Sequence, residues 1–580
     1  MNILLTAINA KYIHSNLAVY SLRACAGEYR DAVELAEYTI NNQKDYILEE
    51  LYKRKPDVLC FSCYIWNIDY VTDIAREYKK LCPSVPIWVG GPEVSYEVEA
   101  FLRENPYIDG VMIGEGEDTF RELCGYYAHK RKLSDIAGIA FRKNSTGNST
   151  SVNNIGGNKA GEIVFTSPRP IKNMSEIPFC YDTLDDFSNR IIYYESSRGC
   201  PFSCSYCLSS VDKTLRFRDT EIVKRELKFF IDQKVPQIKF VDRTFNCNHA
   251  HAMELWRFIK ANDNGVTNFH FEISADLLNQ EELELISDMR PGLIQLEIGV
   301  QSTNEVTIKE IHRTMKLERL KEVVRLIQSG NNIHEHLDLI AGLPYEDYDS
   351  FGRSFDEIYE LKPNQLQLGF LKVLKGSYMF EHATEYGIVY HDKPPYEVMS
   401  TKWLSFDDVI KIKRVEEMLE VYYNSGQFEI TMKLMECIFD SAFEFFQELG
   451  DFYEANGYFG MSHSRIRRCE ILLEFLALYL HGCDSDAITS VVLSENAVDR
   501  ENTDCDEHAI DRENAGENTD FDENAQIYSM IQESLIFDLY YRENCKSRPR
   551  WATDIGKFKH MTHAYLSLIH ISEPTRLDVI

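Results

Sequence analysis

The sequence predicts an α/β protein in three parts: a Rossmann-like open sheet, a (βα)6-type partial TIM barrel, and a mainly α-helical C-terminal domain. Three observations predict it. Across residues 1–140, short apolar runs alternate with amphipathic stretches. Within residues 189–376, six further strand-like runs are followed by helix-like segments, as a barrel requires. From residue 377 onward the apolar spacing is that of helices. A chain of 580 residues also exceeds what one core usually supports, so several domains are expected.

In residues 1–140 the strands are read at "NILLTAI", "VELAEYTI", "DVLCFSCYIW", "PIWVGG", "GVMIG" and "IAGIAF", with "NIDYVTDIAREYKKL" as an amphipathic helix between two of them. Ligands of such sheets lie at the carboxyl ends of the strands. Two turns there are rich in glycine, "VGGPEVS" (Val89 to Ser95) and "IGEGED" (Ile113 to Asp118). Glycine lets backbone approach a ligand closely, and it is equally an ordinary turn residue, so the turns by themselves leave both readings open. Residues 141–188 are expected to be flexible loop and linker, because "NSTGNSTSVNNIGGNKAG" is polar and rich in Gly, Ser and Asn, and the strap "SPRPIKNMSEIPFCYD" follows it.

The barrel strands are read at "RIIYYESS", "QIKFVD", "FHFEIS", "LIQLEIGV", "HEHLDLIAG" and "QLQLGFLKV", with catalytic groups expected at their C-terminal ends. In residues 377–580, "SFDDVIKIKRVEEMLEVYYNSG" and "FDSAFEFFQELGDFYEANG" carry helical patterning. The tract 495–525, where "DRENTDCDEHA" is echoed by "DRENAGENTDFDENA", is expected to be disordered. The stretch "LIHISEPTRLDVI" (568–580) fits no periodicity and reads as translated adapter sequence outside the fold.

A formal net charge of −30 argues against broad nucleic-acid binding, since phosphate contacts need a positive field. Twelve acids against Arg500 and Arg512, between Glu495 and Glu523, put −10 of that charge in one tract. No run of eighteen apolar residues occurs, which argues against a membrane span, and "MNILLTAINAKYIHSN" lacks the features of an export signal. Fifteen cysteines without framework spacing point to a reducing compartment with free or metal-bound thiols. A cytoplasmic location is the expectation, with neither membrane nor nucleic acid as a partner.

"RGCPFSCSYCLSS" sets Cys200, Cys204 and Cys207 in a C-x3-C-x2-C array directly after the first barrel strand. Thiolates suit zinc or iron–sulfur centres. A closed zinc site wants four ligands, commonly as two separated pairs, and the nearest further cysteines, Cys180 and Cys247, have no paired spacing. Three thiolates on a four-iron cluster leave one iron open to a ligand.

With Tyr206 as the aromatic before the last cysteine, this array resembles the radical S-adenosylmethionine (SAM) superfamily. The resemblance implies a 4Fe-4S cluster on Cys200, Cys204 and Cys207, SAM chelated at the open iron, and cleavage to a deoxyadenosyl radical that takes hydrogen from substrate. It also implies an oxygen-sensitive enzyme served by an electron donor such as flavodoxin or ferredoxin. "FVDRTFN" stands where the superfamily places polar groups against the methionyl amine, though the usual Gly-Gly-Glu is absent, which makes Asp242 the candidate there. "LEIGVQS" and "DLIAGLPYE" resemble later strands of that barrel, so Glu297, Gln301 and Ser302 are SAM candidates, with a buried hydrogen-bonding role as the alternative for each.

The first α/β part, carrying "SCYIWN", "GGPEVS" and "GEGE", resembles the cobalamin-binding domain of cobalamin-dependent radical SAM proteins. The two resemblances together cover about the first 375 residues. The second implies a corrin across the strand ends, near Asn9, His14, Ser62, Gly90, Gly91, Pro92, Glu93, Gly114, Glu115 and Gly116. The D-x-H-x-x-G motif that supplies a cobalt ligand in methionine-synthase-like domains is missing, so any cobalamin here lacks that lower histidine. A lone loop histidine such as His14 is more often a hydrogen-bonding residue than a ligand. From "LKVLKGS" onward the chain resembles an uncharacterised domain found behind such cores.

The function these resemblances imply is radical functionalisation of an unactivated carbon with cluster, SAM and cobalamin, methyl transfer being the outcome. Two alternatives stand beside it. One is a methylthiotransferase whose auxiliary cluster draws on Cys25, Cys60, Cys63, Cys82 and Cys124, although Cys60 and Cys63 lie on an apolar strand where cysteine behaves as a small hydrophobe. The other is a non-catalytic corrin or iron–sulfur sensor. The substrate is not readable from the sequence.

Overall fold

The computed structural model describes residues 1–143, 161–211, 213–481, 519–542 and 549–552. They form two compact units, Met1–Val409 and Ile410–Ile580. Among the described residues no helix is long and apolar enough to cross a membrane.

The first unit opens with β1 (Ile3–Asn9), β2 (Val33–Thr39), β3 (Val58–Ser62), β4 (Ile87–Gly90), β5 (Gly110–Met112), β6 (Ile139–Lys143) and β7 (Glu162–Phe165), in sheet order β2-β1-β3-β4-β5-β6-β7. Strands β1 to β5 run parallel. Every residue of β1 and of β3 is buried, which is what a strand covered on both faces by helices demands of its sequence. One such cover is the helix Ile68–Leu81, which presses Val71, Ile74, Ala75 and Tyr78 into the core at helical spacing. The strand order reverses between β1 and β3, so the loops after these strands flank a crevice. Strand β7 falls inside the segment 141–188 expected to be loop and linker. Its four residues are only half-buried at most, and pairing antiparallel with β6 makes it a strand.

The barrel begins with β8 (Ile192–Tyr194) and a small ribbon of β9 (Ser197–Arg198) with β10 (Arg216–Phe217), and continues with β11 (Gln237–Phe240), β12 (Asn268–Ile273), β13 (Ile294–Gln301), β14 (His334–Ala341) and β15 (Gln365–Phe370). The sheet order is β15-β14-β13-β12-β11-β8, sequential and parallel throughout, with the two end strands unpaired with each other among the described residues. This is the six-stranded partial barrel predicted. Strand β13 alternates strictly: Ile294, Leu296, Ile298 and Val300 are buried, while Gln295, Glu297, Gly299 and Gln301 take the other face. The lumen face is therefore polar, carrying Lys239, His270, Glu272, Glu297, His336 and Asp338, where closed barrels carry branched apolar side chains.

The first unit runs beyond the expected boundary at residue 376. A hairpin of β16 (Val389–Tyr390) and β17 (Val398–Ser400), in a stretch expected to be helical, is tied back by Val398 N to Leu371 O at 2.8 Å and Val373 N to Tyr396 O at 3.0 Å. The second unit holds the helices Glu429–Ile438, Ala442–Ala455, Arg465–His481 and Thr519–Arg542. The buried Asp538 carboxylate caps the first of them, accepting from Ile430 N at 3.1 Å, Thr431 N at 2.9 Å and Thr431 Oγ1 at 2.8 Å. Helix Thr519–Arg542 starts inside the tract 495–525 expected to be disordered, and it buries Ile531, Leu535 and Leu539 along one stripe. The rest of that tract and the stretch 568–580 lie outside the described residues.

Candidate functional site

Within the first unit, segments following β1, β3, β4 and β5 face the mouth of the barrel across a cleft of about 780 Å³. Ser62, Gly90, Gly91, Pro92, Gly114, Glu115 and Gly116 line one wall. Tyr193, Lys239 and Glu272 line the other, together with Leu208 and Ser209 just beyond Cys207.

The cysteine loop leaves β9 through Gly199, whose φ is +87° and where a Cβ would stand 2.5 Å from Thr214 O, so only glycine fits. Its approach is held by Asp242, at the end of β11. The fully buried carboxylate accepts from Ser196 N at 2.9 Å, Ser196 Oγ at 2.6 Å and Ser197 Oγ at 2.6 Å. Burial raises its carboxyl to about 6 in spite of these donors. The structure thus places Asp242 as a strut between β11 and the lead-in to Cys200.

Cys200 and Cys204 are buried and Cys207 is half-buried. The Cys200 thiol is pushed up first by burial, with Cys207 and Cys204 adding repulsion. Among the described residues no three His, Cys, Asp or Glu groups converge on a point that would hold a single metal ion. A set of three thiols on one short loop without a fourth ligand fits a polynuclear iron–sulfur cluster with one open iron better than a closed zinc site. Ser205, in the middle of the loop, donates N–H to Ile311 O at 2.9 Å and accepts from Met379 N at 3.0 Å, which pins the loop to two later segments.

The remaining SAM candidates have different surroundings. Gln301 ends β13 at φ +77°, just past a register shift, and its Oε1 is sealed from solvent without a hydrogen-bond partner. It is an acceptor that lacks a donor. Ser302 Oγ donates to Glu346 Oε1 at 2.6 Å and accepts from Asn304 N at 3.0 Å, within a local network. Glu297 lies in the lumen, 2.9 Å from Lys239 Nζ and 2.9 Å from His270 Nε2, the latter contact too bent for a hydrogen bond. Burial opposes its ionisation, but His270 and Lys239 outweigh burial and hold the carboxyl at about 2. Glu272 stands beside it in register, and burial followed by the Glu297 charge pushes its carboxyl up to about 7.

On the opposite wall, Gly91 has φ +123° and a Cβ there would meet Cys63 O at 2.4 Å; Gly114, at φ +73°, borders open space. Pro92 starts the short helical turn Pro92–Val94 that follows β4. The Gly116 backbone passes close to Leu22, where a Cβ would be 2.9 Å from Cδ2. Asn9 Nδ2 donates to His14 O at 3.1 Å and Glu37 Oε1 at 2.9 Å, and Ser62 Oγ accepts from Asn16 Nδ2 at 3.3 Å. His14 Nδ1 lies 2.7 Å from Tyr193 Oη of β8, a hydrogen-bonding role across to the barrel. Glu115 pairs with Arg216 at 2.6 Å, and Glu93 accepts a short hydrogen bond from the Tyr396 hydroxyl. The loops after β1, β3, β4 and β5 therefore meet at one cleft, while the side chains of His14, Glu93 and Glu115 are engaged by other segments of the same unit.

Sequence reasoning missed Arg313, Lys239, Glu272 and the lumen histidines His270 and His336. The lumen groups were signalled by polar residues at every second position in "QIKF", "FHFEI", "LEIG" and "HEHLDL". Arg313 had no comparable signal.

Comparison with known proteins is consistent with this geometry. The B12 binding domain description matches residues 3–124, the radical SAM superfamily residues 194–358, and a protein of unknown function (DUF4080) residues 384–573. The cobalamin-dependent radical SAM methyltransferase TokK of Streptomyces tokunonensis is 27% identical over 360 residues, covering 58% of this chain and 49% of that protein. The chain thus spans about half the length of the curated relatives it matches first. Among solved structures, the cobalamin-dependent SAM radical enzyme OxsB, with aqua-cobalamin and SAM bound, superposes with a TM-score of 0.57 at 15% identity, covering 97% of this chain and 83% of that one. The radical SAM methyltransferase TsrM from Kitasatospora setae, with cobalamin and a [4Fe-4S] cluster bound, gives 0.53 at 17% identity, with 68% and 82% covered. At such identities the two structures show a shared fold.

Proposed function

We propose that the protein is a cobalamin-dependent radical SAM enzyme that functionalises an unactivated carbon, with methyl transfer as its reaction. The observation that carries this reading is the single cleft, on which the glycine turns after β4 and β5, the barrel mouth and the segment beyond Cys207 all open. Two cofactors that act on one substrate need such a shared cavity. When bound, cluster and SAM supply a hydrogen-abstracting deoxyadenosyl radical, and the corrin supplies a transferable methyl group.

The residues divide that work. Cys200, Cys204 and Cys207 hold the cluster. Gln301, whose Oε1 lacks a donor, would be an acceptor available to SAM. The backbone at Gly90, Gly91 and Gly114 admits the corrin close to the strand ends. Lys239 and Glu272 give the substrate a polar floor, and Glu272, near 7, holds or releases a proton at its carboxylate around neutral pH. A low-potential donor of flavodoxin or ferredoxin type delivers the electron. The methylthiotransferase alternative is disfavoured because Cys60, Cys63 and Cys124 are all core residues whose thiols burial pushes up.

Anaerobic purification, reconstitution with iron, sulfide and hydroxocobalamin, and metal counting after desalting test the reading. The expectation is one cobalt with about four irons per chain, the iron lost when Cys200, Cys204 and Cys207 are all replaced by Ala. Four irons without cobalt would remove the cobalamin assignment, and seven or eight would restore the auxiliary-cluster alternative. Methylated product and deoxyadenosine distinguish an enzyme from a sensor.

A further inference from the structure

A cation, Arg313, lies against a cysteine of the loop. Arg313 Nη1 is 3.8 Å from Cys204 Sγ and donates to Tyr206 Oη at 3.2 Å, while Nη2 makes a short hydrogen bond to Gly299 O. Its Nε is sealed from solvent and has no partner. The placement is built from both sides. Strand β13 shifts register between Gly299 and Gln301, and Gly299 leaves its carbonyl open to the guanidinium, with Arg313 Nη2 3.5 Å from where a Cβ would stand. His312 adopts φ +55°, and the Ile311 carbonyl just before it grips the loop at Ser205 N.

A guanidinium stays protonated at any working pH, and a buried cation costs several kcal/mol unless an anion answers it. Among the described residues Arg313 meets a phenol, a carbonyl and a thiol, and no carboxylate. The group that would answer it is Cys204 Sγ, a thiolate once it ligates iron. Hydrogen bonds to ligand sulfur and nearby charge are the protein's means of setting the potential of an iron–sulfur cluster.

We propose that Arg313 is a positioning residue that raises the reduction potential of the cluster, through an N–H···S contact to Cys204 and a fixed positive charge beside it. The inference rests on the reading of Cys200, Cys204 and Cys207 as cluster ligands. The step it assists is a one-electron reduction: an electron from a low-potential donor takes the four-iron core from its 2+ to its 1+ state. No bond is made or broken, and Arg313 keeps its proton. The added negative charge is stabilised by the guanidinium, which is why reduction becomes easier.

The test uses the full chain reconstituted with iron and sulfide, without SAM or cobalamin, and reads iron content and the midpoint potential in a mediated titration followed by electron paramagnetic resonance. Arg313→Gln keeps hydrogen bonding and removes the charge; Arg313→Lys keeps the charge. With wild-type iron content, the Gln variant is expected at a more negative potential than wild type, and the Lys variant between the two. Equal potentials in all three overturn the inference while leaving the cluster reading intact, whereas a wild type that holds no iron overturns the cluster reading itself. Should the Gln variant lose its iron, the Lys variant alone decides: a potential below wild type is expected, and an equal or higher one overturns the inference.

Discussion

Gly91 and Glu335 are two positions where one atom group decides the outcome. At Gly91, φ +123° and a Cβ 2.4 Å from Cys63 O leave no room for a side chain. Gly91→Ala is expected to cost about 2–3 kcal/mol of stability and to lower cobalt loading while iron loading is kept, as metal counting on the purified variant reads. Glu335, on the helix-facing side of β14, is fully buried with both carboxylate oxygens unpartnered, and burial raises its carboxyl to about 8. A carboxyl raised from its ordinary value of 4.5 costs the folded state stability as pH climbs from about 4.5 to about 8, because only the unfolded chain ionises freely. Glu335→Gln is therefore expected to match wild type near pH 4.5 and to exceed it by up to about 5 kcal/mol above pH 8, in denaturant unfolding at several pH values. Glu297 runs the opposite way. Held at about 2 by His270 and Lys239, its contribution is present above about pH 4.5 and lost toward pH 2.

Strand ends, more than strands, carry the site. Asp242 joins the end of β11 to the residues after β8 through three donors, of which the Ser196 hydroxyl also lies 3.0 Å from His251 Nε2. Asp242→Ala leaves the Ser196 N–H and the Ser197 hydroxyl buried and unpaired, a cost of about 1–3 kcal/mol each, while the Ser196 hydroxyl keeps His251 Nε2. The expected result is a variant that retains cobalt but loses iron faster than wild type on desalting, with Asp242→Asn between the two. Most elements here were legible. The six barrel strands announce themselves as apolar runs with polar residues interleaved, because one face meets helices and the other a lumen. Strand β7 and the β16–β17 hairpin were not legible, since each is short, half-exposed in part, and made a strand by its pairing partner.

At the scale of the first unit, charged pairs join the open sheet to the barrel. Glu37 and Arg190, whose side chains are 8% and 12% exposed, pair at 2.5 Å, and Glu117 meets Arg198 at 2.5 Å. Removing one member strands the other in a dry place, at about 3–5 kcal/mol. Arg190→Met is expected to lower the thermal stability of the first unit by that order, with little change between low and high salt, since a buried pair is poorly screened. A loss that vanishes in high salt would mark the pair as exposed and weak.

The sequence by itself determined the parts: two βα series, glycines at the strand ends, and three closely spaced cysteines directly after the first barrel strand. These are local, because periodicity, turn chemistry and short spacing are set by neighbours in the chain. The tertiary structure alone decided what each group faces. His14 reaches Tyr193 across 179 residues, Arg313 reaches Cys204 across 109, and Glu115 reaches Arg216 across 101. Such meetings depend on strand register and on how the open sheet meets the barrel, and a side chain carries no mark of a partner that only folding brings near.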